Sequence, residues 1–225
     1  MSRFEAHWEV LPAPQRELWS QLAGSVELGL VLYGGTAVAL RLGHRTSVDF
    51  DFFTERRLDR DELGKHFEFL SRSEVIQDRP DTLTVLAQSA GTEVKISFFG
   101  AIGIGRAGVS EQTQDGVVEV ASLLDLLSTK LKVMQQRIEA KDYLDVTAIL
   151  RAGIRLETGL AAAATMYHPS FQPSEAIKAL TYFEGGDLAS LAKDDRELLT
   201  YAVARIQRLP VVGLASRSLS ANSES

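Results

Sequence analysis

The chain has 225 residues, of which 45% are hydrophobic, and it carries a formal net charge of −6 with no cysteine. The apolar content excludes a largely disordered protein, and the missing basic excess excludes one that coats long stretches of nucleic acid. We expect a cytoplasmic protein without disulfides or a membrane partner, because no run reaches the ~20 apolar residues of a membrane span and the N-terminal residues lack the apolar run of a signal peptide.

The first third of the chain predicts helices and strands in alternation. Apolar residues recur at helical spacing, then run continuously, and then alternate with polar residues. This pattern predicts a helix over residues 13–26, a strand over 28–33, a helix over 37–42, a strand over 48–53 and a helix that begins at Asp59 or Asp61.

Beyond residue 73 the pattern becomes that of a β-meander and then of helices. Strands are predicted over 74–78, 82–88, 93–99 and 116–120, and helices over 122–150, 158–167, 174–183 and 194–207. Residues 1–120 should therefore form a small mixed sheet flanked by helices, and residues 121–210 an all-helical half. With a disordered tail over 211–225, this is an α/β (α+β) protein.

Two carboxylates stand two residues apart in one of the predicted strands. Strict alternation places Asp49 and Asp51 on one face, and Val48, Phe50 and Phe52 on the core face. Like charges this close raise a pKa unless a cation lies between them, and divalent cations take carboxylate oxygens readily. We predict a Mg²⁺ (or Mn²⁺) site on Asp49 and Asp51. The alternative is an exposed face whose acids bind only water.

A glycine pair precedes this strand at a predicted strand-to-helix turn, Gly34-Gly35-Thr36. Glycines let the backbone approach a phosphate, the first amides of a helix favour an anion, and Thr36 would add a hydroxyl at the cap position. Arg45 is near enough in sequence to the carboxylates to contact a phosphate. A tight turn without a ligand is the alternative, but a phosphate site beside a metal site suits nucleoside triphosphate chemistry.

Charged residues also form a stripe on the helix predicted over 122–150. On one continuous helix Lys130, Arg137, Lys141 and Asp145 fall at offsets 0, 7, 11 and 15, which is one face. Leu127, Leu131, Met134 and Ile138 form the apolar face of the same helix. The stripe is either a phosphate-binding surface or the solvated face of a surface helix.

Two segments, YGGTAVALRLGHRTSVDFDFF and LLDLLSTKLKVMQQRIEAKDYLDVTAIL, resemble the signatures of the AbiEii/AbiGii toxin family of nucleotidyltransferases. The family pattern is a Gly-Gly-Thr or Gly-Ser turn, a helix and Ser-x-Asp-x-Asp, followed later by a Lys, an Arg and Lys-Asp-Tyr-x-Asp. The resemblance implies a nucleotidyltransferase-type sheet. It also implies that Ser47 and Asp49 belong to the metal and phosphate motif, with Asp51 as its second carboxylate. Lys130 would contact the triphosphate, and either Asp142 or Asp145 would fill the late acidic position.

One position departs from the nucleotidyltransferase pattern. Many of these enzymes carry a third carboxylate on a later strand, where it activates the attacking hydroxyl as a base. The alternation over 93–99 places Ser97 there. The base would then be Asp142, Asp145 or Glu93, or transfer would not occur.

The resemblance implies an enzyme that transfers a nucleotide from an NTP to an acceptor, such as the 3′ end of a tRNA. It would be the toxin of a bacterial toxin–antitoxin or phage-defence system, with a cognate antitoxin as partner. Two alternatives remain open: a degenerate member that binds nucleotide or RNA without transfer, and an antitoxin-bound protein whose function is mainly interaction. The GxGxxG run at residues 103–108 is not a dinucleotide site, because polar, turn-forming residues rather than an amphipathic helix follow it.

Overall fold

The computed structural model describes residues 2–222. Contacts divide these residues into two compact units. The first unit comprises residues 2–105, 109–122 and 216–222, and the second comprises 106–108 and 123–215. Within the described part of the chain, no helix is long and apolar enough to cross a membrane.

The first unit is a mixed sheet with helices. Its strands are β1 (Arg3–Phe4), β2 (Val31–Tyr33), β3 (Phe50–Phe53), β4 (Glu74–Arg79), β5 (Thr82–Ser89), β6 (Thr92–Phe99), β7 (Glu111–Thr113) and β8 (Glu119–Val120). Its α-helices are α1 (Ala13–Leu18), α2 (Gly24–Glu27), α3 (Gly34–Leu42) and α4 (Arg60–His66). Short 3₁₀ turns lie at Trp8–Val10, Trp19–Leu22 and Glu68–Arg72.

The eight strands lie in the order β1-β7-β8-β2-β3-β6-β5-β4. β2 and β3 pair antiparallel, whereas β3 and β6 pair parallel, so β3 is a central strand of a mixed sheet. Its alternating FDFF sequence buries Phe50 and Phe52 completely, and Phe52 stacks on Phe98 of β6 with ring centroids 5.7 Å apart. This aromatic packing fixes the position of β3, the strand that contains Asp51.

The mixed α/β class is confirmed, and the β4–β5–β6 meander is close to its predicted bounds. The helix predicted over 13–26 is wrong as a single element: α1 ends at Leu18, a 3₁₀ turn follows, and α2 begins at Gly24. The indole of Trp19 is pinned at this break, because its Nε1 donates to Asp115 at 2.8 Å. The strand predicted from residue 48 begins at Phe50, and Val48 is 51% exposed rather than part of the core.

The second unit is helical in its described residues. It contains α5 (Leu123–Val133), α6 (Ala140–Arg151), α7 (Leu156–Met166), α8 (Pro173–Thr181), α9 (Lys193–Ala204) and a 3₁₀ turn at Leu188–Ser190. The continuous helix predicted over 122–150 is wrong, since α5 and α6 are separate helices. Ile138 lies between them and is partly exposed, so it does not extend the apolar face of α5.

The N-terminus of α6 is capped by a residue far along the chain. The Asp187 carboxylate accepts the amide of Ala140 at 2.6 Å, which satisfies one of the free amides at the helix N-terminus. Gly186 packs so closely on the loop before α6 that a Cβ there would lie 2.5 Å from the carbonyl oxygen of Ile138. These contacts cannot be read from the local sequence, which is why the helical periodicity suggested one helix.

The end of the described chain, residues 216–222, packs within the first unit. Leu219 and Ser220 are fully buried. Ser220 Oγ and the amide of Ala221 both donate to the buried Glu119 carboxylate at 2.7 Å. The tail predicted to be disordered from residue 211 is therefore ordered over 216–222, because its hydroxyl and amide groups compensate a buried carboxylate. Residues 223–225 of that predicted tail lie outside the described residues.

Candidate active site

The turn from β2 into α3 brings the backbone of Gly34 against the Asp51 carboxylate. Gly34 has φ +73°, and a Cβ at this position would lie 2.6 Å from Oδ2 of Asp51. Antiparallel pairing sets Tyr33 opposite Asp51, so the turn begins directly beside the carboxylate. Only glycine fits both the left-handed conformation and the close approach. The glycine turn and the second carboxylate of the motif thus meet at one end of α3.

Helix α3 begins at Gly34, and its first two residues remain partly exposed. The free amides of this first turn carry partial positive charge and favour an anion. Thr36 is the third residue of the helix, and the N-cap is Tyr33, so the predicted cap role of Thr36 is wrong.

Thr36 instead joins α3 to the segment before β3. Its hydroxyl donates to the backbone carbonyl of Asp49 and lies 2.8 Å from the Ser47 hydroxyl oxygen. Thr36 and Ser47 are both buried. Their hydroxyls hold the 47–49 segment against the helix and so position Asp49; direct contact of either hydroxyl with a phosphate stays a prediction.

Asp49 lies one residue before β3 and meets the face of β6 that carries Lys95 and Ser97. The Lys95 ammonium lies 3.0 Å from Oδ2 of Asp49, with the two side chains 42% and 36% exposed. Asp51 lies level with Ser97 in the parallel pairing of β3 and β6. The register thus sets Asp49 and Asp51 beside Lys95 and Ser97, which lie on one face of β6. The prediction that both carboxylates belong to one strand is wrong in its bounds, since β3 begins after Asp49.

Ser97 is the residue at which the sequence predicts the position of a third carboxylate. It lies next to Asp51 across β3 and β6, and its hydroxyl is 3.4 Å from that of Thr84 on β5. Ser97 and Thr84 are buried. Across residues 2–222, no group of three or more His, Cys, Asp or Glu side chains could hold a metal ion. Two carboxylates nevertheless fit a Mg²⁺ ion that arrives with a nucleotide, since this ion is commonly held by one or two carboxylates plus substrate phosphates.

Arg45 lies between α3 and the carboxylates in sequence. Its guanidinium is partly exposed and donates to the carbonyl of Thr46 at 3.0 Å. The predicted contact of Arg45 with a phosphate is not addressed by this hydrogen bond and stays a prediction.

The second unit contains an ionic cluster of four side chains, of which Arg137 is 45% exposed and the other three are buried. Lys130 of α5 lies 2.8 Å from Asp142 and 2.5 Å from Asp145 of α6. Arg137 donates to both Asp142 oxygens, at 2.8 and 3.1 Å. The lysine is 6% exposed and the two carboxylates are fully buried, so two cations balance two anions in the helical core.

The charged stripe predicted on one continuous helix does not exist in that form, because its residues belong to two helices and the loop between them. Lys130 and Asp145 meet because α5 packs on α6, not because they share one helix face. Lys141 pairs with Glu139 at 2.8 Å instead. The assignment of Lys130, Arg137 and Lys141 to the triphosphate, and of Asp142 and Asp145 to catalysis, stays a prediction.

The surroundings of Asp142 favour its ionised form. Burial is the largest influence and raises the pKa, but the hydrogen bonds from Arg137 and the charge and hydrogen bond of Lys130 together outweigh it. The pKa of Asp142 is therefore below its ordinary value of 3.8. A carboxylate with a lowered pKa is a weak base, which argues for a structural role of Asp142.

The backbone amides of the GxGxxG run bind a carboxylate of the chain itself. The amides of Ala107 and Gly108 donate to the buried Asp125 carboxylate at 2.7 and 3.2 Å. A short strand, β7, follows the run. This confirms that the run is not a dinucleotide-binding turn.

Lys95 is the site residue that sequence reasoning missed. The alternation over 93–99 places Lys95 and Ser97 on one face, but the pairing with Asp49 depends on the register of β3 on β6. Asp49 and Lys95 are 46 positions apart in sequence, and no local pattern encodes that register.

The segments that form this site match a known protein family. The model of the family described as "Nucleotidyl transferase AbiEii toxin, Type IV TA system" matches residues 21–201, which include the glycine turn, both carboxylates and the ionic cluster. An uncharacterized protein of Aquifex aeolicus (strain VF5) is 31% identical over 181 residues, covering 77% of this chain and 84% of the relative.

Proposed function

This chain belongs to the AbiEii nucleotidyl transferase toxin family, and on that premise we propose that it transfers a nucleotide from a nucleoside triphosphate to an acceptor hydroxyl. One observation carries the proposal: the Asp51 carboxylate lies against Gly34 at the exposed N-terminus of α3, with Asp49 just before it in the chain. Anion-binding amides and cation-binding carboxylates are thus adjacent, which a phosphate-transferring site requires.

The proposed cofactor is Mg²⁺ or Mn²⁺, held by Asp49 and Asp51 together with phosphate oxygens of the substrate. Such an ion neutralises charge on the phosphate oxygens and orients them when it is bound. The amides of Gly34 and Gly35 would bind a phosphate group, and Thr36 would keep Asp49 in position through its carbonyl.

In the proposed reaction the acceptor oxygen forms a bond to the α-phosphorus. The bond from that phosphorus to the bridging α,β-oxygen breaks, and pyrophosphate leaves with its electron pair. The acceptor proton passes to water, because Ser97 supplies no carboxylate beside Asp51. A positioned base typically adds ~10²–10⁴-fold, so a site without one keeps most of its catalysis by charge stabilisation but turns over slowly.

We propose an RNA end, such as the 3′ end of a tRNA, as acceptor. With a net charge of −6 the chain is poorly suited to gripping a long duplex, whereas a terminal hydroxyl needs only local contacts. The family description names a type IV toxin–antitoxin system, so an antitoxin is the proposed partner.

A second function is favoured by Ser97. A member without the third carboxylate could hold a nucleotide or an RNA without transferring anything. A third, in which the chain acts mainly as the interaction partner of an antitoxin, stays a prediction; exposed aromatic residues lie at the end of α8 and in α9, Tyr182 and Tyr201.

Labelling separates the first two functions. Each α-labelled triphosphate is incubated with the protein, Mg²⁺ and total RNA, and the RNA is resolved on a gel. Transfer predicts label on a discrete RNA species with the wild type and none with Asp49→Ala. Triphosphate binding without label on any RNA or protein would support the binding module instead.

A further inference from the structure

Lys95 forms an ion pair with Asp49, one of the two carboxylates that the proposed reaction needs. Its ammonium lies 3.0 Å from Oδ2 of Asp49, on the strand neighbouring β3. The register that pairs Phe50 with Ile96 sets Asp49 level with Lys95, just as it sets Asp51 level with Ser97. The ion pair therefore follows from the sheet and is not an accident of two flexible side chains.

The Lys95 ammonium competes with a divalent cation for Asp49. An oxygen that accepts an ammonium hydrogen bond is less available to a metal ion, and two cations at one carboxylate repel each other. A triphosphate changes this balance, because it brings several negative oxygens that accept an ammonium as well as a metal. A lysine is a compact charge on a flexible four-carbon stem, and about two-fifths of this side chain is already exposed.

We propose that Lys95 is an exchangeable counter-ion that makes cation binding depend on the nucleotide. Without a triphosphate Lys95 pairs with Asp49 and weakens cation binding. When a triphosphate binds, Lys95 moves to a phosphate oxygen and releases Asp49 to the cation. This inference rests on the proposed function, since it assigns a triphosphate to the same site.

An ordinary surface ion pair predicts something different. Exposed pairs contribute little, and removing one charge would then change neither cation nor nucleotide binding appreciably. The exchange predicts changes of opposite sign for the two ligands, which a merely structural role would not produce.

The test is calorimetric titration with Mn²⁺ alone and with a non-hydrolysable triphosphate in the presence of Mn²⁺. For Lys95→Met we expect Mn²⁺ alone to bind about twofold to fivefold more tightly, as expected for loss of an exposed ion pair. We expect the triphosphate to bind roughly tenfold or more weakly, as expected for loss of a charge-assisted hydrogen bond. Lys95→Arg should keep triphosphate affinity close to that of the wild type.

Two controls keep the outcomes distinct. Lys65→Met removes the same charge from an exposed position of α4 in the same unit and should change neither titration. Lys95→Gln repeats the test with a polar side chain, should Lys95→Met not fold.

One result would overturn the inference. Asp49→Asn would lose Mn²⁺ binding, while Lys95→Met and Lys95→Gln would keep the wild-type affinities for Mn²⁺ and for the triphosphate. The proposed function would then survive. If Asp49→Asn binds Mn²⁺ and triphosphate as the wild type does, the proposed site itself is wrong and the inference falls with it.

Discussion

Asp51 and Ser97 stand side by side on parallel strands β3 and β6, in a sheet whose other face is the aromatic core. Two carboxylates and a hydroxyl thus occupy the positions at which many nucleotidyltransferases carry three carboxylates. The proposed site thus has two carboxylates for a cation but no carboxylate at the expected position of the base.

Replacing the hydroxyl by the missing acid should not harm transfer. Ser97→Asp adds a carboxylate next to Asp51, so the rate of labelled nucleotide transfer should equal or exceed that of the wild type. Without a cation the added charge is buried beside another, so the melting temperature should fall and Mn²⁺ with triphosphate should restore it. A folded Ser97→Asp that transfers nothing would contradict this account of the site.

Gly34→Ala should damage both the fold and the site. The left-handed φ costs an alanine about 1 kcal/mol, and its Cβ would displace the Asp51 carboxylate. We expect a lower urea midpoint and a loss of triphosphate affinity of roughly tenfold or more. Gly64→Ala is the matched control in α4, where a Cβ meets nothing within 4 Å; it should be neutral or slightly stabilising. Equal triphosphate affinity in the wild type and Gly34→Ala would remove the turn from the site.

Lys130→Met should destabilise the helical unit strongly. It leaves Asp142 and Asp145 buried with less compensation, and breaking such a pair costs about 3–5 kcal/mol. Lys178→Met, which removes an exposed partner of Glu175, should cost under ~1 kcal/mol in the same urea titration.

The resemblance also assigns Lys130 to the triphosphate. If Lys130→Met, tested at a temperature where it stays folded, binds triphosphate as tightly as the wild type does, the role of Lys130 is structural alone. Weaker triphosphate binding by Lys130→Met, with the urea midpoint unchanged, would contradict the structural role.

Acid should destabilise the protein partly through Asp142. Its pKa in the folded state is below the ordinary 3.8, so its ionised form contributes stability that is fully present above that value. This contribution is lost as the pH falls through the lower folded-state pKa. Urea midpoints measured between pH 6 and pH 2.5 should fall more steeply below pH ~4 in the wild type than in Asp142→Asn. Parallel curves for the two proteins would show that Asp142 is not coupled to its cationic neighbours.

Part of the site could be predicted because its residues are close in sequence. The alternation of Phe50, Asp51 and Phe52 sets the two faces of β3, and Gly34 marks the turn into α3. Both follow from local steric and burial rules. The position of Ser97 followed from the same alternation in β6.

The rest depends on contacts between distant residues. The pairing of Lys95 with Asp49 needs the register of two strands, and the break between α5 and α6 needs Asp187 as a cap. The buried tail needs Glu119, to which Ser220 and Ala221 donate from about 100 residues away. Hydrophobic periodicity carries no information about such partners.

The most direct test of the proposed function is release of pyrophosphate. Wild type, Asp51→Asn and the exposed-acid control Asp61→Asn are mixed with triphosphate, Mg²⁺ and total RNA, and pyrophosphate is measured by a coupled assay. We predict RNA-dependent release by the wild type and Asp61→Asn, and a rate lower by roughly a hundredfold or more in Asp51→Asn, because cation-assisted charge stabilisation is worth several kcal/mol. Release by Asp51→Asn at the wild-type rate, or no release by a wild type that binds triphosphate, would contradict the account.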